Sequence, residues 1–349
     1  MSVAHEFEFC GQPMGAGHPP LIVAEIGFNH NGDVALCQRM IQAAAANGAD
    51  AVKLQTFVAG ELYSKRFLAN DPADPKKEIP LYEFFQRSEL KPEEYEELFG
   101  YAEELGIPLF STPFDEGSLD MLVDFGVPAI KVASPDLTYL DFIKRVARKH
   151  LPVVLSTGMG DADEIEKAVN AVRGEGNDRI VLLHCVSNYP SRYEEMNMHC
   201  LAELRTRFKV PVGLSDHTTD NLSAIVAASL GAVMIEKHFT LDRNLPGADN
   251  ALSMEPEELR QLKQATVSVG KILGDGKRKL QPSEVPVKQS ARRSLVARVD
   301  IEAGTVISSD MVAVKRPGTG IPPDGLARIV GKKAKSRISA EELINWEMV

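Results

Sequence analysis

Four cysteines, Cys10, Cys37, Cys185 and Cys200, are scattered through 349 residues without a CxxC pair. Neither a disulfide framework nor a thiolate metal site is indicated, and reduced thiols in the cytoplasm are the expectation. No apolar run approaches the roughly 18 residues that cross a bilayer. Met1–Cys10 carries Glu6 and Glu8 and lacks the basic-then-apolar order of a secretory signal. No membrane partner is expected. Positive charge is also in deficit: the formal net charge is −10 and no basic stripe compensates it, which argues against nucleic acid as a partner. A small anionic ligand is not excluded, because surface charge is screened over about 8 Å and a few local cations can govern a pocket. The P-loop is missing, and no GxGxxG follows the first apolar run, so a nucleotide is not indicated.

What remains is an ordinary globular composition, 44% hydrophobic and 25% charged, at a length that fits one large domain plus a small one. From residue 21 to about 275, short apolar runs alternate with amphipathic stretches. The runs predict strands at Leu21–Gly27, Ala51–Phe57, Pro108–Phe114, Ala129–Ser134, Pro152–Gly158, Ile180–Val186, Pro211–His217 and Val233–Phe239. Helical patterns lie between them, for example Val34–Asn47, Lys91–Leu105, Leu119–Phe125, Asp161–Val172 and Asn221–Leu230. Gly48, Gly106, Gly126 and Gly231 stand where helices should stop. Eight strands that are apolar through their middles mean a buried parallel sheet, and at this length the closed (β/α)8 TIM barrel is the natural solution. A doubly wound open sheet is the runner-up. Val58–Leu90, with Pro72, Pro75, Pro80 and a charged Asp74–Glu78 segment, reads as a long loop, either a lid or a surface excursion.

Polar residues collect at the C-terminal ends of these strands: Glu25; Lys53 and Gln55; Ser111 and Thr112; Lys131 and Ser134; Ser156 and Thr157; His184; Ser215, Asp216 and His217; Glu236, Lys237 and His238. A barrel gathers those ends at one mouth, where its active sites lie. Alternation aims Ser215 and His217 to one face, and Glu236 and His238 to one face of the next strand. Two imidazoles at matched ends of neighbouring strands suit a divalent metal with open positions, able to polarise a carbonyl; the bland reading is a pair of satisfied histidines. Lys53 and Lys131 would meet an anion among hydroxyls from Thr112, Ser134, Ser156 and Ser215, or else lie as extended side chains at the rim. Lys237 admits a Schiff-base mechanism, although alternation turns it away from Glu236 and His238.

Gly274–Pro286 is rich in Gly, Pro and charge and reads as a linker. The division expected is a barrel at 1–275, a linker at 276–289 and a small β-rich domain at 290–349, with strand-like runs at Ser294–Ala297 and Met311–Val314 and a turn at Glu302–Gly304. Some sixty residues could barely stand alone, so docking onto something is expected.

The motifs AEIGFNHNGD (24–33), DAVKLQTF (50–57), FSTPFD (110–115), LSTGM (155–159), LLHC..NYP (182–190), GLSDHT (213–218), IEKHFTLD (235–242), NLPGAD (244–249) and VKRPGTGI (314–321) occur in this order. Together they resemble the bacterial sialic acid synthase family, with its neuraminate, legionaminate and pseudaminate synthases and a spore-coat polysaccharide relative. The resemblance covers essentially the whole chain, and the C-terminal part resembles the antifreeze-like (SAF) domain. It implies condensation of phosphoenolpyruvate with an N-acetylmannosamine-type sugar to a nonulosonate and phosphate. It further implies Mn²⁺ or Mg²⁺ on His217 and His238. Phosphoenolpyruvate contacts would come from Lys53, Thr112, Lys131, Ser134, Ser156 and Ser215. Gln55, Tyr189, Glu236 and Asp249 match the positions that hold the acyl-sugar, Ser187 falls at a pocket position, and Glu25 is a carboxylate near the reacting centre. Arg316 would be lent to the pocket of the other subunit in a domain-swapped homodimer.

The chain departs from the neuraminate pattern at Ser187, at Pro135–Asp136 and at Arg292. The stretch ARRSLVA (291–297) looks more like the legionaminate and pseudaminate branches, and NLPGAD like the spore-coat branch. The sugar therefore stays open, a 2,4-diacetamido-trideoxy hexose against N-acetylmannosamine. So does the choice of Glu25 or Glu236 as the proton carrier. An octulosonate-phosphate type of synthase, which lacks the C-terminal domain, and a catalytically idle sugar-binding protein of coat assembly are the competing readings.

Overall fold

A computed structural model describes residues 7–15, 18–71 and 74–349. Glu6 and Pro72 lie outside the described residues. The chain divides into two compact units after Gly274.

In the first unit, eight parallel strands close a barrel. They are β1 (Leu21–Gly27), β2 (Ala51–Thr56), β3 (Leu109–Pro113), β4 (Ile130–Val132), β5 (Val153–Ser156), β6 (Ile180–Cys185), β7 (Val212–Asp216) and β8 (Met234–His238). Each pairs with its neighbours in sequence, and β8 closes onto β1. The outer helices are α1 (Val34–Ala46), α2 (Pro92–Glu104), α3 (Glu116–Asp124), α4 (Leu140–Ala147), α5 (Ala162–Gly174), α6 (Cys200–Phe208), α7 (Leu222–Ser229) and α8 (Pro256–Leu273). The open sheet is thereby excluded.

Strand parity divides the side chains. Outward residues such as Ile22, Val52, Leu54, Leu182, Leu214 and Ile235 are buried against the helices. Inward residues at the strands' N-terminal ends form an apolar floor of Val23, Ala51, Phe110, Ala129, Val154, Val181, Leu183 and Met234. The hairpin Phe7–Phe9/Gln12–Met14 seals that floor: Phe9 and Met14 join the cluster, and the Phe9 and Phe110 rings meet edge to face at 5.7 Å. Gly213 lies where an added Cβ would run into the Met234 carbonyl, so the approach of β7 to β8 requires glycine there.

Three expectations are revised. The strand foreseen at Ala129–Ser134 is only Ile130–Val132, and Ser134–Asp136 forms a 3-10 turn. Helix α3 begins before Leu119, because Asp115 accepts from the Ser118 amide at 2.7 Å and caps it. The segment after β2 is no structureless loop. It carries helices Ala59–Leu62 and Leu81–Gln86 around a hairpin, Leu68–Asp71 with Asp74–Pro80. Phe28, Phe57, Ile79 and Phe84 bury one another there, with Phe85, Phe114 and Ala248 packed against them. Of the 14 phenylalanines in the chain, Phe28, Phe57, Phe84, Phe85 and Phe114 gather at this rim.

Every residue from Lys271 to Arg293 is exposed. The stretch read as a linker includes a 3-10 turn, Pro282–Glu284, and a helix, Val285–Ala291. The C-terminal unit pairs β9 (Ser294–Ala297) antiparallel with β10 (Val312–Lys315) over its own core, which includes Leu295, Ile301, Ile329, Ile338 and Ile344. Among the described residues, no helix is long and apolar enough to cross a membrane.

Candidate active site

Above the apolar floor, the same inward parity continues into polar residues. Glu25 on β1, Lys53 and Gln55 on β2, Thr112 on β3, Lys131 on β4, Ser156 on β5, Cys185 on β6, Ser215 on β7 and Glu236 and His238 on β8 line one cavity with Ser134, Tyr189 and His217. The free space is about 60 Å³. A larger cavity of about 600 Å³ lies at the other end of the barrel, lined by Phe99, Gly106, Phe125 and acidic Glu96, Glu103 and Asp124. It offers no cation or imidazole, so convergence of chemistry and not size identifies the site.

The centre is a four-member charge cluster. Lys53 Nζ lies 2.5 Å from Glu25 Oε2 and 3.8 Å from Glu236 Oε2, and donates to Thr112 Oγ1 at 3.0 Å. Lys131 Nζ is 3.7 Å from Glu236 Oε1, which also accepts from Ser215 Oγ at 3.1 Å. All four charged side chains are buried. Burial pushes the Glu25 carboxyl up to about 7, against the pull of Lys53. Glu236 moves the other way: burial opposes its charge, but Lys131 and Lys53 with the Ser215 hydroxyl outweigh that and hold it below the ordinary range. Two nearby carboxyls thus have distinct protonation states near neutrality. Burial also lowers Lys131, with Glu236 opposing. While Glu25 keeps its proton, two lysines face one carboxylate. An anion entering the cavity would restore the balance.

The imidazoles sit beside this cluster, their ring centroids 5.6 Å apart, with Tyr189 4.1 Å from His217. His217 Nδ1 is 2.9 Å from the Val186 carbonyl, which fixes the ring and leaves Nε2 for another partner. His238 Nδ1 is buried without a hydrogen-bond partner. Burial, with His217 and the lysines, holds His238 well below its usual pKa. The ring is neutral, so its 3.9 Å approach to Asp249 is not an ion pair. Burial raises Asp249 itself to about 6. A neutral imidazole with an unused ring nitrogen beside a second anchored imidazole fits a divalent ion. Among the described residues no three His, Cys, Asp or Glu side chains converge as a ready-made metal cluster; the donor set stops at two imidazoles, and substrate or water oxygens would complete it.

The asparagines of AEIGFNHNGD hold the loop that follows β8. Asn29 Nδ2 donates to the Phe239 carbonyl and to Ser253 Oγ, and Asn31 Nδ2 donates to the Pro246 carbonyl. Ser253 Oγ in turn donates to the Asp249 carbonyl at 2.7 Å. The loop that presents Asp249 is therefore tied to the first strand's loop.

Parity sends the other strand-end residues away. Ser111 bonds Thr56, Thr157 bonds the Leu183 carbonyl, and His184 bonds the Met196 carbonyl. Lys237 is buried against Asp216, outside the cavity lining, which removes it as a Schiff-base nucleophile. Ser187 lies beside the site, 3.8 Å from Cys185 Sγ, and an added Cβ at Gly158 would strike its hydroxyl. Arg316 is exposed in the C-terminal unit. Sequence reasoning missed Ala133, Pro135 and Cys185 as lining residues; for Cys185 the signal was present, since Val181, Leu183 and Cys185 share the inward parity of β6.

The NeuB family model matches residues 40–278 and the SAF domain model residues 292–349. The chain is 39% identical over 347 residues to an N,N'-diacetyllegionaminic acid synthase of Legionella pneumophila, covering 97% of each chain. It is 35% identical over 326 residues to a pseudaminic acid synthase of Helicobacter pylori, covering 92% of this chain and 95% of that one. The crystal structure of an N-acetylneuraminic acid synthetase from Leptospira borgpetersenii serovar Hardjo-bovis in complex with citrate superposes with a TM-score of 0.74 at 34% identity, covering 82% of this chain and 95% of that one. A closed barrel with a charged mouth, a C-terminal SAF domain and these relatives agree: the chain belongs to the NeuB family, the phosphoenolpyruvate-dependent nonulosonate synthases.

Proposed function

We propose that the barrel mouth joins phosphoenolpyruvate to the open-chain aldehyde of a 2,4-diacetamido-trideoxy hexose, giving a nonulosonate and phosphate. The observation that carries this reading is the pairing of two buried lysines with a split carboxyl pair, next to two imidazoles. Lys53 and Lys131, with Thr112, Ser134, Ser156 and Ser215, hold the phosphate and carboxylate of phosphoenolpyruvate. The Ser156 hydroxyl is buried without a protein partner, as a ligand-facing donor would be. Gln55, Tyr189, Ser187 and Asp249 line the sugar's side.

C3 of phosphoenolpyruvate bonds to the aldehyde carbon. Glu25, entering protonated, delivers its proton to the aldehyde oxygen. Water then adds at C2 and gives one proton back to Glu25; the C2 hydroxyl then collapses to the ketone as the C–O bond to phosphate breaks, and its proton leaves with the phosphate. Glu236 stays ionised throughout, fixing both lysines and offsetting the positive charge that develops at C2. His217 and His238 would hold the divalent ion, Mn²⁺ suiting imidazole donors better than Mg²⁺. When bound, the ion supplies Lewis-acid polarisation of the sugar carbonyl. Arg316 is assigned to the mouth of a second copy in a domain-swapped homodimer, which the family resemblance supports, and the reaction to the cytoplasm, which the scattered cysteines support.

The diacetamido sugar is favoured over N-acetylmannosamine because of Asp136. Its Oδ2 is buried without a hydrogen-bond partner, and burial raises the carboxyl to about 6. It follows Pro135 of the cavity lining without itself belonging to that lining, feels the charge of Lys131, and is assigned here as the acceptor for an additional amide N–H. Sites built for one polar group reject analogues lacking it, by up to about 10⁴-fold. Phosphate release measured with both sugars under saturating phosphoenolpyruvate and Mn²⁺ tests this. The diacetamido sugar is expected to have the higher kcat/KM; a clear preference for N-acetylmannosamine makes this a neuraminate synthase. No turnover with any acylated sugar would favour the sugar-binding role instead.

A further inference from the structure

Asp216 and Lys237 occupy opposite positions in the β7–β8 ladder, one residue before His217 and His238 respectively. Both point outward, and neither lines the cavity. Lys237 Nζ donates to Asp216 Oδ2 at 2.9 Å and to the Thr218 carbonyl. Asp216 Oδ1 accepts from the Thr218 amide at 2.9 Å and its hydroxyl at 2.8 Å. The two side chains are 2% and 0% exposed. A buried ion pair is costly to desolvate, and an apolar pair of similar volume is often as stable or more so. Stability alone therefore gives little reason for charges in the barrel wall. What the pair adds is direction: the ammonium holds the Thr218 carbonyl and the carboxylate holds the Thr218 amide, while the bond between them joins the residues that precede the two imidazoles.

We infer that the Asp216–Lys237 pair, with Thr218, is a positioning device for the two histidines. The ion pair locks the register of β7 against β8 at the last rung. The Thr218 bonds hold the chain on the far side of His217, so its backbone is clamped before and after the ring. The remaining pins come from the loops: the Ser191 amide donates to the His217 carbonyl at 3.0 Å, and the Met254 amide to the His238 carbonyl at 2.7 Å. Parity turns the clamp outward and the rings inward, so the 5.6 Å separation of the rings is set from behind the wall by groups that touch neither substrate nor ion. This role rests on the metal reading of the histidine pair proposed above.

The test compares full-length wild type, Lys237→Met and the double variant Asp216→Leu/Lys237→Met. Three readouts are taken: thermal midpoint, Mn²⁺ titration by calorimetry, and the ring resonances of His217 and His238 in metal-free protein. The single variant leaves a buried carboxylate unpaired and should lose stability. The double variant should recover the wild-type midpoint to within a few degrees, yet bind Mn²⁺ about 10- to 100-fold more weakly and show displaced or broadened ring signals. Wild-type Mn²⁺ affinity together with unchanged ring signals in the folded double variant would overturn the inference. If wild type itself binds no Mn²⁺, the metal reading fails, and the ring signals still decide: displaced rings support the clamp, unchanged rings overturn it.

Discussion

The two ends of the barrel are built from the same strands with the same parity, and they do opposite things. Toward the N-terminal ends, the inward positions of β1, β2, β3 and β8 are Val23, Ala51, Phe110 and Met234, all buried in an apolar floor under the Phe9 hairpin. Further along, the inward positions of those strands are Glu25, Lys53, Thr112 and Glu236, equally buried but charged or polar. The floor gains from burial. The mouth holds charges out of water with some polar atoms unpartnered, Ser156 Oγ and His238 Nδ1 among them. Stability and reactivity are thus separated along each strand, and a change at one end should leave the other's property largely untouched.

The strongest way to break that separation is at Lys131. Replacing it by Met removes one of the two cations proposed to meet the substrate's anionic groups. A loss of about 10³-fold in kcat/KM is expected, roughly 4 kcal/mol of transition-state stabilisation. The weakening should fall on phosphoenolpyruvate more than on the sugar, with the far-ultraviolet spectrum unchanged. Steady-state kinetics with each substrate varied in turn checks it; an unchanged KM for phosphoenolpyruvate would contradict it. The mirror experiment is Phe110→Ala in the floor. It should cost about 3 kcal/mol of stability, read by denaturant unfolding, while activity per folded molecule stays near wild type.

Glu25 sharpens the comparison, because a single buried carboxyl there links pH to both properties. The groups facing it are Lys53, Glu236, Lys131 and Gln55. Its folded-state pKa, about 7, lies above the ordinary value of 4.5, so protonation favours the folded state. That contribution is complete below about pH 4.5 and is lost as pH rises through about 7. Entering the reaction protonated, Glu25 should also make kcat/KM fall as pH rises through about 7. Glu25→Gln is expected to lower activity and to remove that limb of the pH profile and the corresponding part of the stability slope. A limb that persists in the variant assigns it to another group.

The smallest effect belongs to the loop tie. Asn31→Ala deletes the bond to the Pro246 carbonyl, worth about 1 kcal/mol. Because the tie supports Asp249 and not the lysines, KM for the sugar should rise several-fold while KM for phosphoenolpyruvate holds.

The barrel was legible in the sequence because parallel strands buried on both faces leave unbroken apolar runs, and because Gly48, Gly106, Gly126 and Gly231 adopt positive φ just after their helices. The site followed from the same alternation: Lys53, Lys131, His217 and His238 do share a cavity, while His184 and Lys237 point away. Other features left weaker traces. The Phe7–Met14 hairpin has strands of three residues, too short for a period to register. The hairpin Leu68–Asp71/Asp74–Pro80 buries Ile79 but otherwise exposes the side chains described on its second strand between Lys76 and Glu78, so no apolar alternation announces it. The split between the two carboxyls was beyond a linear reading, since Glu25 and Glu236 differ in how two lysines, Ser215 and Gln55 are shared between them.

The central claim is that the mouth carries out a condensation in which water adds to C2 of phosphoenolpyruvate. Phosphoenolpyruvate carrying heavy oxygen in the bridging C–O–P position, turned over with an acylated amino sugar and Mn²⁺, reports it directly by mass spectrometry. The account predicts that the label leaves with phosphate and that the nonulosonate contains none from that position. Label retained at C2 of the product, or phosphate released without formation of a nine-carbon acid, would contradict it.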